Sequence, residues 1–164
     1  MGLTASAIQN HFCVDENRLF VAGYCLGASA AEELTCYFAG RDPSRRFGSD
    51  LTIRGEITVA SHTPIYTACG GRYASLWIHD ADDEFDTTAS LAHFLAAGQC
   101  DARDSTASEA WGSAELGGVC TRYTHCASDS PVVFCETTGK GHAEQPALML
   151  PALVEFESSL SPSP

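Results

Sequence analysis

The chain is short of positive charge, of long apolar runs and of closely spaced cysteines, and each shortage excludes a class of function. Its 9 Lys+Arg stand against 21 Asp+Glu, a formal net charge of -12. Such a chain repels a phosphate backbone and lacks the counterion-release term on which nucleic-acid binding rests. No apolar run approaches the roughly 18 residues of a membrane span. Met1 is not followed by the positively charged, apolar segment of a secretory signal. No two cysteines form C-x-x-C and no two histidines form H-x-x-x-H, so zinc ribbons, thioredoxin-like sites and helical zinc pairs lose their main support. What is present is 164 residues, 45% of them hydrophobic, with 14 Gly, 7 Pro and 8 Cys. A chain of this size buries about 70% of its unfolded surface, enough for one globular domain with a proper core.

The eight cysteines are Cys13, Cys25, Cys36, Cys69, Cys100, Cys120, Cys126 and Cys135. Four of them crowd between Cys100 and Cys135, where Ser, Thr, Gly and Asp dominate. That pattern predicts a loop-rich excursion stapled by at least two disulfides in an oxidised protein, with a connectivity that spacing alone does not fix.

Hydrophobic periodicity orders the elements. A short helix is predicted over Ala5 to Phe12, with Ile8 and Phe12 on one face, and an apolar strand over Arg18 to Tyr24. A sharp turn at Gly23-Tyr24-Cys25-Leu26-Gly27 then opens a helix from Ala28 to Phe38, closed by Gly40. Two buried strands follow, Glu56 to Ala60 and Ala74 to His79, separated from the first helix by a polar loop over Asp42 to Asp50. Thr88 to Ala97 reads as a helix stopped by Gly98, Pro131 to Cys135 as a fourth strand, and Pro151 to Leu160 as a closing helix with Pro at its first position. Strands alternating with helices imply an α/β fold, with parallel pairing and helices on both faces of the sheet.

Strand, G-x-nucleophile-x-G, helix is the arrangement of a nucleophile elbow, which pushes a reactive side chain out above the sheet. The central residue here is Cys25. The N–H of Leu26 falls at the helix start, where partial positive charge stabilises an oxyanion and lowers a thiol pKa. The competing interpretation is a glycine-bounded turn around a buried structural cysteine. Such sites order their groups as nucleophile, acid, histidine, the last two on loops after later strands. The acidic turn Asp80-Ala81-Asp82-Asp83-Glu84 follows one strand, and Gly139-Lys140-Gly141-His142 follows another. A carboxylate there can hold the imidazole in one tautomer, and a Gly-flanked His can reach the nucleophile. Read differently, the acidic turn is solvated loop, or the cap region of the next helix through Asp86 or Thr87. Calcium binding is disfavoured, because Phe85 and Leu91 occupy the places of the glycine and glutamate that an EF-hand needs when Asp80 is the first ligand. No metal or cofactor is called for, and His79 is expected to support the acidic turn rather than to catalyse.

The stretch CVDENRLFVAGYCLGASAAEELTC resembles the region around the nucleophile in secreted esterases of the polyhydroxybutyrate depolymerase and feruloyl esterase group. There a C-V-D-x-x-R strand leads into G-x-S-x-G. LWIHDADDEFD and PVVFCETTGKGH resemble that group's H-G-x-x-D acid turn and its strand, Cys and G-x-G-H histidine loop. The resemblance runs from about Cys13 to the final helix. It implies an α/β-hydrolase fold, no cofactor, a small-molecule or polymeric ester as substrate, and an extracellular or periplasmic location that the cysteine content also favours. By the same resemblance Asp83 matches the triad acid, His142 matches the base, and Cys25 stands where the group has serine.

Cys in place of Ser is one departure, and a thiol in a site shaped for serine can acylate poorly or deacylate slowly. Asp80 replaces the group's Gly, which leaves the choice between Asp82 and Asp83 less secure. The group also places strands before the nucleophile strand, one of whose loops supplies a second oxyanion N–H. Residues 1–160 are therefore expected to be the carboxyl-terminal part of such a domain, with a Ser/Pro tail over 161–164. An exposed sheet edge in that part would be open to self-association. With Cys25 as a thiol nucleophile seven cysteines remain, and Cys69 is expected to be the odd one. Two other functions fit the same residues: a noncatalytic, disulfide-stapled binding module, and a thiol-dependent lactone hydrolase.

Overall fold

The computed structural model describes residues 7–8, 11–15, 18–39, 53–61, 71–85, 88–101 and 107–160. Among them a mixed six-stranded sheet carries three α-helices of ten residues or more. The elements in chain order are β1 (Leu19–Tyr24), α1 (Leu26–Phe38), β2 (Ile53–Val59), β3 (Ala74–Asp80), α2 (Thr88–Ala97), β4 (Ser108–Ala110), a 3-10 turn (Ala114–Leu116), β5 (Cys120–Tyr123), β6 (Val132–Thr137) and α3 (Pro146–Ser159). The sheet order is β1-β2-β3-β6-β5-β4. The first four are parallel, and β5 and β4 complete the sheet antiparallel.

Parallel strands covered on both faces should be apolar throughout, and every residue of β3 and all but Arg54 of β2 are buried. The two faces are distinct. Ile57, Val59, Leu76, Ile78 and Val133 pack with Ala152 and Phe156 of α3. On the opposite face Trp77 packs on Phe94 of α2, ring centroids 5.2 Å apart, and Glu56 faces Thr35 of α1. Residues that alternate along β2 and β3 thus serve different helices, as period 2 requires.

The hairpin β4–β5 lies inside the segment expected to be loop. Its strands have three and four residues, and β4 is exposed throughout, so neither carries an apolar alternation that could announce it. Disulfides hold it instead. Cys120 faces Cys135 across the β5–β6 ladder and is bonded to it, and Cys100 at the end of α2 is bonded to Cys126. Loops with sequence separations of 15 and 26 are closed by these bonds, each contributing about 3 kcal/mol if chain entropy dominates. Cys36 is also disulfide-bonded, and bonds of this kind fit an oxidising, extracellular-type compartment. Among the described residues Cys13, which is exposed, stands outside any disulfide, as does Cys25; Cys69, the residue expected to be the odd one, lies outside the described residues.

Several boundaries move for physical reasons. The final helix begins at Pro146, not at Pro151, which lies inside it. Pro146 has the first-position role that its fixed φ and missing N–H suit, while Pro151 leaves the carbonyl of Ala147 without its helical donor. At the end of α2 the residue with positive φ is Gln99, at 52°. Gly98 is there for space, since a Cβ would meet Val132 Cγ2 at 2.6 Å and the Ser130 carbonyl oxygen at 2.9 Å. Ile8 and Phe12, the apolar face expected of an amino-terminal helix, are both exposed. Gly40, the loop 42–50, Asp86, Thr87 and the tail 161–164 fall outside the described residues.

One feature of the core is polar. Glu32 of α1 and Glu56 of β2 are both fully buried between helix and sheet. Burial, with the charge of Glu32 next, raises the pKa of Glu56 well above the ordinary value, against the hydrogen bond from Ser75 and the nearby hydroxyl of Thr35. Its contribution to stability is therefore fully present below the unfolded pKa of roughly 4.3 and is lost as pH rises towards and through the folded value. Glu56→Gln is expected to exceed the parent protein in stability at about pH 8 by at least ~1 kcal/mol, the gap closing by about pH 4. Urea titrations at the two pH values measure it; a gap independent of pH would show that Glu56 does not carry the proton.

Candidate active site

The end of β1 and the start of α1 are separated by one residue, and that residue is Cys25. To turn the chain so sharply its backbone takes φ 56° and ψ -126°, a region that costs an L-residue about 1–3 kcal/mol. Hydrogen bonds on both sides hold it. Cys25 N–H donates to the Val59 carbonyl at 3.1 Å, extending the β1–β2 ladder by one rung, and the Cys25 carbonyl accepts from Ala28 N–H and Ser29 N–H. Gly23 makes the turn possible, because a Cβ there would lie 2.1 Å from the Gly27 carbonyl oxygen. At Gly27 an added Cβ meets nothing within 4 Å, so the second glycine of the motif is not sterically required. The thiol of Cys25 is not part of a disulfide. It accepts a hydrogen bond from Leu26 N–H at the amino-terminus of α1.

Three aspartates stand at the end of β3 and in the turn after it, and each has a different task. Asp80, the last residue of β3, is buried and accepts four hydrogen bonds. Oδ1 takes Asp82 N–H at 3.0 Å and Gly141 N–H at 2.9 Å; Oδ2 takes the Thr137 hydroxyl at 2.7 Å and Lys140 N–H at 3.1 Å. Asp82 Oδ2 accepts Gly139 N–H at 2.7 Å. Asp83 Oδ1 accepts Phe85 N–H at 3.3 Å, and its Oδ2 accepts His142 Nδ1–H at 2.9 Å. Asp83, not Asp82, is thus the carboxylate on the histidine, and its side chain is fully buried. The other two aspartates hold the backbone of the loop that carries His142. Positive φ at Gly139 and Gly141, 76° and 58°, lets that loop fold down onto them.

With Nδ1 committed to Asp83, the ring nitrogen left to serve the thiol of Cys25 is Nε2, and the two groups shift each other's titration. The imidazole sits between two aromatic rings, Tyr24 at 5.4 Å and Phe85 at 5.1 Å between centroids. The Tyr24 hydroxyl donates to the His142 carbonyl at 3.0 Å. Cys25, Asp83 and His142 follow β1, β3 and β6, so all three stand at the carboxyl ends of parallel strands, where open α/β sheets expose their clefts. Leu26, next to Cys25, is 71% exposed.

Charges follow from these contacts. The hydrogen bond with His142 lowers the pKa of Cys25 despite burial, with Leu26 N–H adding to it. The hydrogen bond with Cys25 raises that of His142 despite burial, with Asp83 adding to it. The pair therefore shifts towards thiolate and imidazolium, the form in which sulfur is nucleophilic. Burial alone would raise the pKa of Asp80, but its four donors outweigh that and hold it low. His79 is pushed the other way, towards the neutral ring, by burial. It lies on Trp77, centroids 5.6 Å apart, with Nδ1 3.9 Å from Asp83 Oδ2, beneath the acidic turn it was expected to support.

Asp80, Tyr24 and Phe85 were not among the site residues expected from sequence. Asp80 had a signal, its replacement of a glycine in the resembling group; the two aromatics had none. Among the described residues no group of three or more His, Cys, Asp or Glu is arranged to hold a metal ion. In comparisons with known proteins, no family model matches the chain and no curated protein matches it in sequence.

Iodoacetamide labelling with peptide mapping, which separates Cys25 from the free Cys13, reads these couplings directly. His142→Ala should move the labelling midpoint of Cys25 up towards roughly 8.5 and slow its labelling at about pH 6 by roughly tenfold. Asp80→Ala strips the acceptor from three backbone donors and should destabilise the protein by about 2–4 kcal/mol. It should also shift the Cys25 midpoint in the same direction as His142→Ala. An unmoved midpoint would show that Asp80 does not position the histidine.

Proposed function

We propose that the protein is a carboxylic-ester hydrolase of α/β-hydrolase type, acting through Cys25, His142 and Asp83 by way of an acyl-enzyme. The observation that carries this reading is the 2.9 Å bond by which Asp83 holds His142, together with the coupling of that imidazole to the Cys25 thiol on a strained strand-to-helix turn. In the first half-reaction the Cys25 thiolate attacks the ester carbonyl carbon. Leu26 N–H, aimed at the thiol, is positioned to hydrogen-bond the oxyanion. The imidazolium of His142 gives its proton to the departing alcohol. In the second, neutral His142 takes a proton from water as it attacks the thioester, and the thiolate leaves. Asp83 keeps the ring in the tautomer that presents Nε2 to the reaction and stabilises its charged form.

A noncatalytic module is the second reading. Favouring it are the thiol in a serine's place and the single oxyanion donor, Leu26 N–H, identified among the described residues.

Turnover of p-nitrophenyl acetate and butyrate by the parent chain, Cys25→Ala and His142→Ala discriminates the two. Loss of about 10³-fold or more in kcat/KM in each variant is expected. The rate should rise as the Cys25 thiol ionises, at a pH below the ordinary thiol range. Equal rates in all three proteins would remove the triad mechanism and leave the binding module.

A further inference from the structure

We propose that the Cys25 site passes its acyl group to primary amines in preference to water, so that the protein is an acyltransferase as well as a hydrolase. This inference rests on the ester-hydrolase reading and extends it to the acceptor.

The argument begins with the leaving group. When an amine adds to an acyl-enzyme, the tetrahedral intermediate expels whichever group departs more readily. From an acyl-serine the alkoxide departs poorly and the amine tends to return. From an acyl-cysteine the thiolate departs readily, because a thiol is far more acidic than an alcohol and a lower pKa leaves faster. At Cys25 that preference is reinforced, since His142 and Leu26 N–H both stabilise the thiolate that is released. Sulfur also delocalises little electron density into the acyl carbonyl, which favours attack by nitrogen. The steps balance. The amine nitrogen forms a bond to the acyl carbon, His142 takes the amine proton, the carbon–sulfur bond breaks, and the products are an amide and the Cys25 thiolate facing imidazolium.

The surroundings select amines over other acceptors. Asp82, which bonds the histidine loop, Glu84 of the acidic turn and Glu144, two residues past His142, are all exposed, against Lys140 as the cation of that loop. The charge of Glu144 is felt at Tyr24, next to the nucleophile. A negative rim on a chain of net charge -12 concentrates ammonium-bearing acceptors and repels thiolates. The exposed flank at Leu26 leaves the acyl carbonyl open to an acceptor larger than water.

The experiment offers p-nitrophenyl butyrate alone, with argininamide, or with mercaptoethanesulfonate, and counts butyrate, butyryl amide and thioester by mass spectrometry, taking Cys25→Ala as the background. Amide is expected to become the major product with argininamide. The amide-to-acid ratio should fall about tenfold or more in Cys25→Ser. Glu144→Gln, outside the reacting groups, should lower the amide share roughly twofold. Butyryl-Cys25 seen by intact mass together with only butyrate in the presence of argininamide would overturn the transfer and leave hydrolysis standing. Faster transfer to the thiol would overturn the choice of acceptor. No butyryl-Cys25 and no turnover above background would overturn the hydrolase reading and this inference with it.

Discussion

The backbone of Cys25 is held where few L-residues rest, and the site depends on its staying there. The strain is small beside the contacts that impose it. One hydrogen bond to Val59 ties the residue to the sheet, two more from Ala28 and Ser29 tie it to α1, and the missing side chain of Gly23 lets helix and strand approach. Relaxing φ to a negative value would break this set together, so the sheet and the helix over-determine one residue. The result is a thiol that cannot retreat into the core, with the first N–H of α1 directed at it. Reactivity at Cys25 is thus a property of β1, β2 and α1 acting together.

The same logic governs the histidine. A loop with two positive-φ glycines has no fixed shape of its own, and Asp80 supplies one by gathering a hydroxyl and two N–H groups from 137–141. Because Asp80 also accepts from Asp82 N–H, a single carboxylate fastens the acid turn and the histidine loop to each other. The 2.9 Å bond between Asp83 and His142 then joins two segments whose backbones are already in register. Tyr24 closes the circuit from the nucleophile side through its hydrogen bond to the His142 carbonyl. His142 is thus held by neighbours of both other members of the proposed triad, Tyr24 beside Cys25 and Asp80 and Asp82 beside Asp83.

How far this was legible in the sequence depends on which signal each feature leaves. Strands β2, β3 and β6 are buried apolar runs, and α2 shows helical spacing at Leu91, Phe94 and Leu95, so their existence follows from composition. The order of Cys25, the acidic turn and His142 along the chain is itself information, and the structure brings these residues together. Which aspartate faces His142 is not encoded in residue type, since Asp80, Asp82 and Asp83 differ only in the direction their backbone gives them. The hairpin β4–β5 is held by a ladder and by Cys120–Cys135, not by apolar burial, and leaves no periodic trace. Pro151 misleads because proline marks a helix start more often than it survives inside one.

Buried carboxylates in this molecule are made tolerable in two opposite ways. Asp80 is surrounded by N–H and O–H donors and stays charged, so the stability it contributes is present above the unfolded pKa and lost as pH falls through its lowered folded value. Burial, and then a second carboxylate, Glu32, push the pKa of Glu56 up, so what it contributes is lost as pH rises. The two lie on different parts of the sheet, one under the histidine loop and one beneath α1, yet both support the geometry of Cys25. The fold is therefore squeezed from both sides of pH, whereas the thiolate–imidazolium pair requires a pH above the lowered pKa of Cys25 and below the raised pKa of His142. Protonating Glu56 favours the scaffold in acid, and ionising Cys25 favours the chemistry towards neutrality. The pH at which the proposed chemistry would run best is set by where those two demands overlap, not by either group alone.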